Sequence, residues 1–145
     1  MTDHVGYLAG LTGGRVTKVK KASGADFLLE LGELSVETDG QQAYTRGEFT
    51  VLVECPWRIQ LPDGRGFGWD AVAWDPVMAA LHELQGATVR LIMASEPDSC
   101  KIRFSNGTTL WVYTDPQQPW DGGWFVFARA GWCLSLGNAA GWASP

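Results

Sequence analysis

Charge is scarce in this chain, and the small excess is negative. Charged residues make up 19 % of the 145 positions, and the formal net charge is −5. Non-specific binding to nucleic acid depends on lysine and arginine neutralising phosphates, so we expect no nucleic-acid partner. We interpret the one basic group as a solvated strand face; it consists of Arg15, Lys18, Lys20 and Lys21.

Cysteines and long apolar runs are also few. Cys55, Cys100 and Cys133 are widely spaced, with no CxxC pair and no histidine-containing ligand pattern. This spacing predicts neither a disulfide framework nor a metal site. No stretch approaches the roughly 18 consecutive apolar residues typical of a transmembrane helix, and the first residues do not resemble a signal peptide. We therefore expect a cytoplasmic protein without membrane contact.

Catalytic motifs are missing as well. The sequence has no GxSxG elbow, P-loop, HExxH pair or GxGxxG turn after a strand, and GRGFG at 64–68 lacks the Lys-Ser/Thr of a phosphate loop. We interpret the two histidines, His4 and His82, as exposed residues. The sequence thus predicts no catalytic residue and no cofactor. Carboxylates on neighbouring strands are interpreted as solvated, with a catalytic pair as the alternative; they are Glu30, Glu37, Glu48 and Glu54.

Tryptophan, by contrast, is abundant, and two of the eight occur in similar phrases. VLVECPWRIQL at 51–61 and VFARAGWCLSL at 126–136 each contain an apolar run, a tryptophan and then alternating apolar and polar residues. Trp57 and Trp132, 75 positions apart, are predicted to be equivalent core residues. The residues just before them, Pro56 and Gly131, are predicted to allow a bend or bulge.

A second pair of phrases has nearly the same spacing. LTGGRVTKV begins at Leu11, and LQGATVRLI begins 73 positions later at Leu84. We predict two copies of one antiparallel unit, at about 11–61 and 84–136, within a single domain of residues 1–145. A unit of ~50 residues rarely holds a core alone, so the copies are expected to pack around a pseudo-twofold axis.

Alternating apolar and polar residues predict ten strands. They lie near 14–21, 26–31, 34–38, 49–54 and 57–61 in the first copy, and near 87–94, 100–104, 108–113, 124–128 and 132–136 in the second. Residues 62–86 connect the copies and contain one predicted helix, with Asp75 as N-cap and Gly86 after its end. The predicted fold class is mainly β: two pseudo-repeated antiparallel units, forming a sandwich or strongly curved sheet, joined by one short helix.

Two connections are rich in aromatic and charged residues beyond what strand alternation requires. They are PDGRGFGWDAVAWDP at 62–76 and TDPQQPWDGGW at 114–124. Loops carry function more often than strands do, and aromatic residues with arginine and aspartate are typical of binding hot spots. The alternative is that these rings cap the core. The predicted partner-binding residues are Asp63, Arg65, Phe67, Trp69, Asp70, Trp74, Trp120, Asp121 and Trp124.

Several short motifs resemble those of a known group of proteins. LQGATV, IRFSNGTTLWV, YTDPQQPW and GWCLSL, together with VECPWRIQLPDG followed by WDP, resemble a family of small single-domain bacterial proteins of unassigned activity with a doubled β-hairpin motif. Proteins of this kind are found among the immunity and accessory proteins of toxin systems. The resemblance implies a fold and a bacterial cytoplasmic setting, and it supplies no catalytic residues. Pro119 stands where the family has an acidic residue.

Together these observations favour a non-enzymatic protein-binding module. The expected function is that of an immunity-type protein, which neutralises a toxin by steric and electrostatic occlusion, with a basic toxin domain as partner. One alternative is a small-molecule-binding or enzymatic β domain, with a pocket between the two repeats lined by tryptophan and glutamate. Another is a homo-oligomer that uses a strand edge.

Overall fold

The computed structural model describes residues 8–22, 24–70, 74–95, 99–113, 124–129, 131, 133–136 and 142–144. Within these residues the fold is mainly β and includes the short helix α1 (Trp74–His82), which confirms the predicted class. The strands are β1 (Val16–Lys21), β2 (Phe27–Leu31), β3 (Ser35–Asp39), β4 (Gln42–Arg46), β5 (Phe49–Val53), β6 (Trp57–Gln60), β7 (Gly66–Gly68), β8 (Val89–Ser95), β9 (Ser99–Phe104), β10 (Thr109–Tyr113), β11 (Trp124–Ala128), β12 (Cys133–Leu136) and β13 (Trp142–Ser144).

The strands form two larger antiparallel sheets and one small ribbon. Sheet 1 has the order β1-β2-β5-β11-β12-β13, and sheet 2 has the order β7-β6-β10-β9-β8. Strands β3 and β4 pair only with each other. Alternate residues of each sheet contribute to one shared core; for example, the rings of Phe27 in sheet 1 and Trp57 in sheet 2 meet edge to face at 5.0 Å. This contact is typical of aromatic pairs in cores.

The two sheets have the same strand order when the chain is read as two units. The first unit places β1, β2 and β5 side by side, and the second places β8, β9 and β10 side by side. The next strand of each unit then crosses to the other sheet, where β6 pairs with β10 and β11 pairs with β5. Each unit therefore completes the sheet of the other.

The junction between β1 and β8 shows the same correspondence in its hydrogen bonds. An isolated bridge joins Arg15 to Thr88, residues that are 73 positions apart. The backbone hydrogen bonds around this bridge occur in matched pairs. Within a pair, the two donors are 73 positions apart and so are the two acceptors. The matched bonds are Val16 N to Ala87 O and Val89 N to Gly14 O, both 2.8 Å, and Gly13 N to Val89 O and Gly86 N to Val16 O, both 2.7 Å.

The strand registers change one of the equivalences predicted from sequence. Trp57 lies opposite Val112 of β10, and Trp124 lies opposite Val53 of β5. Trp57 therefore corresponds to Trp124, 67 positions away, rather than to Trp132, which lies outside the described residues. Trp57 is 1 % exposed, so its predicted core position is confirmed.

Pro56 and Gly131 both lie where the chain changes direction, but in connections of different kinds. Pro56 lies in the three-residue link that carries the chain from β5 in sheet 1 to β6 in sheet 2, so a bend is required there. Gly131, with a φ of 113°, lies in the turn between β11 and β12, neighbours in sheet 1. The similarity of the two phrases is therefore local, and the turns they contain connect different kinds of strand pair.

Helix α1 connects the two units, as predicted, and covers one end of the core. Its residues Val77, Ala80 and Leu81 are buried, and His82 is exposed. Gly86 adopts a φ of 90°, the left-handed conformation expected after a helix end. No helix in the described part of the chain has the length and apolar content needed to cross a membrane.

Candidate functional site

Two charged residues within the turn between β6 and β7, Asp63 and Arg65, are bonded to each other. The Asp63 carboxylate accepts hydrogen bonds from the Arg65 backbone N–H (3.0 Å) and from Arg65 Nε (2.7 Å). These bonds lower the pKa of Asp63 below its usual value. Arg65 also lies 3.7 Å from the Glu83 carboxylate at the end of α1. The turn thus joins sheet 2 to the helix through an ordered set of exposed charges.

The three aromatic residues of the following segment differ in exposure. Phe67 and Trp74 are half-buried against the core, and the Trp74 ring lies 6.4 Å from the ring of Trp57. Lys21 Nζ lies over the Trp74 ring, 4.9 Å from the ring centroid. Trp69, in contrast, is 49 % exposed, while its backbone N–H donates to Trp57 O (3.0 Å). Trp69 is therefore an exposed ring on an ordered backbone.

The structure brings together some of the predicted partner-binding residues and separates one of them. Asp63, Arg65, Trp69 and Asp70 are exposed on or just after the β6–β7 hairpin. Trp124 is 2 % exposed within β11, so its assignment to a surface loop is wrong. The strand register turns this ring inward because it lies opposite Val53. Trp120 and Asp121 lie outside the described residues, as does His4.

The β3–β4 hairpin, residues 35–46, is a feature that the sequence analysis missed, and we call it the arm. It projects from the outer face of sheet 1 and is attached there by two lysines of β1. Lys20 Nζ donates to the carbonyl oxygen of Thr45, and Lys18 Nζ donates to the Thr45 hydroxyl at 3.3 Å. Two of the four basic residues expected to be a solvated face therefore hold the arm in place.

A buried carboxylate lies at the foot of the arm. Glu30 is 2 % exposed, although it points to the outer face of sheet 1. Its Oε1 accepts bonds from the Thr50 hydroxyl (2.5 Å) and the Gly47 N–H (3.1 Å), and its Oε2 pairs with Lys20 Nζ at 2.9 Å. A buried charge is tolerated when it is paired and hydrogen-bonded, as this one is. The expectation of a solvated Glu30 is therefore wrong.

Two grooves lie between the arm and sheet 1, and Lys20 and Tyr44 line both of them. One has a volume of about 260 Å³ and combines apolar side chains with charged ones; it is lined by Lys20, Leu28, Glu30, Tyr44, Arg46, Thr50 and Phe127. The other, of about 490 Å³, lies on the Lys18 side. The Tyr44 hydroxyl donates to Glu37 at 3.1 Å, and this bond raises the pKa of Tyr44. Mixed linings of this kind can hold a small amphipathic molecule.

The arm could have been found from the difference between the two units. Seventeen residues connect Leu31 to Phe49, whereas three connect Phe104 to Thr108, the positions that correspond by register. The predicted strand at 34–38 is third in the first copy, as the strand at 108–113 is in the second, but by register the counterpart of β10 is β5. The signal was the composition of 34–38, which has only Val36 and Leu34 as apolar residues, too few for a core strand.

Two cysteine thiols lie in the core. Cys55 and Cys100 are buried, and burial raises the pKa of Cys100 to about 12, so this thiol stays protonated at neutral pH. Among the residues that the structure describes, no three or more histidine, cysteine, aspartate or glutamate side chains are grouped to hold a metal ion.

Comparison with protein-family models, with curated proteins and with solved structures found no match for this chain.

Proposed function

We propose that this chain is a non-enzymatic protein-binding module whose contact centre is the β6–β7 hairpin. The observation that carries the proposal is the 49 % exposure of Trp69 on a hydrogen-bonded strand end. Asp70 follows Trp69 in the chain and is exposed, and Arg65 is exposed in the turn at the other end of β7. Tryptophan and arginine are the residues most often found in interface hot spots, and a rigid backbone lowers the entropy lost on binding.

More specifically, we propose an immunity-type role in a bacterial cytoplasm, with the hairpin occluding a toxin domain. The resemblance of the sequence motifs supports this role, and the net charge of −5 supports attraction to a basic partner. The Asp63 carboxylate already forms an ion pair with Arg65, at 2.7 Å. Local attraction at the hairpin therefore depends more on Asp70 than on Asp63.

Affinity capture from the native host tests this proposal with three forms of the full chain as bait. We expect Trp69→Ala to lose a partner that the unchanged chain retains, with affinity reduced at least ~30-fold, because hot-spot truncations cost about 2 kcal/mol or more. Tyr44→Ala is the matched control, since Tyr44 is a similarly exposed aromatic residue on the arm. Equal recovery of every protein by Trp69→Ala and by the unchanged chain would contradict the proposal.

A second candidate function is the binding of a small molecule beside the arm. The supporting observation is the groove of about 260 Å³ with the buried Glu30 in its lining. This groove lies on the outer face of sheet 1 and combines residues of the first unit with Phe127 of the second. It is not between the two sheets, where Phe27 and Trp57 are in direct contact. A ligand of the groove should raise the melting temperature of the unchanged chain and lose this effect in Tyr44→Ala. A ligand whose stabilising effect is the same in both chains would bind elsewhere.

A further inference from the structure

The outer face of sheet 2 is basic and partly apolar. Across the strands, Trp111 lies between Arg58 and Lys101, and Arg103 lies beside Leu91. We call this surface the basic face; its outward residues are Arg58, Gln60, Leu91, Met93, Lys101, Arg103, Thr109, Trp111 and Tyr113. Three of the seven large apolar residues that are exposed in the described chain belong to it, namely Leu91, Met93 and Tyr113.

The charge of the basic face is opposite to that of the whole chain. Arg58, Lys101 and Arg103 contribute three positive charges, and none of the outward residues just named is acidic. The nearest described carboxylate of the β7 edge is Asp70, which lies beside Gly68, the residue opposite Arg58. A surface that combines cations with exposed apolar side chains fits an acidic partner surface that is also apolar.

The arm has this complementary chemistry. It exposes Val36, which is 71 % accessible, together with Tyr44, and Leu34 is exposed at its base. The carboxylates on the arm and at its base are Glu33, Glu37, Asp39 and Glu48, of which Glu37 pairs with Arg46 at 3.7 Å. An isolated two-stranded hairpin is marginally stable in water, so an arm with these exposed residues gains stability from a docking surface.

We propose that the arm of one copy docks on the basic face of a second copy of this chain. The second unit has only a short turn where the first has the arm, so the basic face has no arm of its own. The two surfaces belong to different sheets, and such a contact is head-to-tail: each copy uses its arm on one neighbour and its basic face on another. This inference does not rest on the proposed function of the β6–β7 hairpin, although Arg58 and Gln60 of the basic face lie on β6, a strand of that hairpin.

Sedimentation of the purified full chain at physiological ionic strength tests the proposal. Under these conditions the Debye length is about 8 Å, so the long-range repulsion between two acidic molecules is largely screened, whereas opposed charges in contact still attract each other. We expect the average mass to rise with protein concentration. Arg103→Glu on the basic face and Asp39→Lys on the arm should each weaken this association at least tenfold.

An equal mixture of the two variants provides the decisive step. The acidic arm of the Arg103→Glu chain still fits the basic face of the Asp39→Lys chain, and the lysine of the second arm fits the new glutamate of the first. Association should therefore return in the mixture. Val36→Ser should weaken association without changing charge, and Lys21→Glu, on neither surface, should leave it unchanged.

Three results would overturn the proposal. The first is a chain that stays monomeric up to about 1 mM, the weak limit of specific contacts. The second is association that neither Arg103→Glu nor Asp39→Lys alters, which would place the contact elsewhere. The third is a mixture that fails to associate although each variant alone is impaired. A monomeric chain that binds poly-glutamate through Arg103 would assign the basic face to a different acidic protein, against our proposal.

Discussion

At the scale of single residues, Trp57 and Trp69 are neighbours with different environments. Trp57 lies on β6, and Trp69, which follows β7, donates its backbone N–H to Trp57 O. Trp57 is buried, and its indole N–H donates to Ala25 O at 2.8 Å. We expect Trp57→Ala to lower the free energy of unfolding by about 3–5 kcal/mol. Trp69→Ala should change it by less than about 1 kcal/mol, because half of the ring is already in water. Urea denaturation followed by circular dichroism measures both; similar losses would mean that Trp69 belongs to the core.

Two carboxylates near the β5–β6 link make stability depend on pH. Burial raises the pKa of Glu54, and the negative charge of Asp26 raises it further. Burial also raises the pKa of Asp26, against the opposing effect of Lys21. A raised pKa in the folded state means that the protonated form is favoured by folding. The resulting stabilisation is present below the unfolded pKa and is lost as the pH rises through the folded pKa.

The charged form of Glu54 therefore costs stability at neutral pH. We expect Glu54→Gln to raise the unfolding free energy at pH 7 slightly, by no more than about 1 kcal/mol, and this gain should vanish as the pH falls below the ordinary value of 4.5. Melting temperatures between pH 3 and pH 8 (roughly the span of carboxyl titration) measure the difference, with the exposed Glu33→Gln as control. A gain that persists unchanged at low pH would contradict the electrostatic explanation.

At the scale of elements, Glu30 joins the arm to sheet 1. Glu30→Ala would leave Lys20 Nζ, the Thr50 hydroxyl and the Gly47 N–H without their carboxylate partner. Breaking a buried pair in this way costs about 3–5 kcal/mol. Glu30→Gln should cost less, because the amide oxygen still accepts a hydrogen bond. Chemical denaturation of both variants measures the order; equal, small losses would mean that water already replaces these contacts.

The position of most elements follows from sequence, and the exceptions have physical causes. The predicted strands at 26–31 and 49–54 match β2 and β5 within a residue or two, because their inward residues are continuously apolar. Strand β4 was missed because QAYTR buries none of its side chains. Among the predicted site residues, Trp69 could be read as a surface residue from its glycine-rich context, whereas the inward direction of Trp124 depends on its register with β5.

At the scale of the whole molecule, the exchange of strands between the sheets is what the sequence could not reveal. The pairs between β6 and β10, and between β5 and β11, join residues from 49 (Gln60 and Thr109) to 79 (Phe49 and Ala128) positions apart, and no local pattern specifies such partners. The exchange places the β6–β7 hairpin beside the basic face, since β6 is a strand of sheet 2. The interpretation of the two units as an internal repeat stays a prediction.

The central claim is that β6 pairs with β10 and that β11 pairs with β5. The positions of the hairpin, the arm and the basic face all depend on these two pairings. Cross-strand nuclear Overhauser effects between backbone protons test them most directly in the full chain. We expect contacts between Ile59 and Leu110, and between Val126 and Val51, the pairs that lie opposite each other in the two sheets. Contacts that instead join Val51 to Ile59, and Leu110 to Val126, would show that each unit keeps its own strands, and would contradict the account.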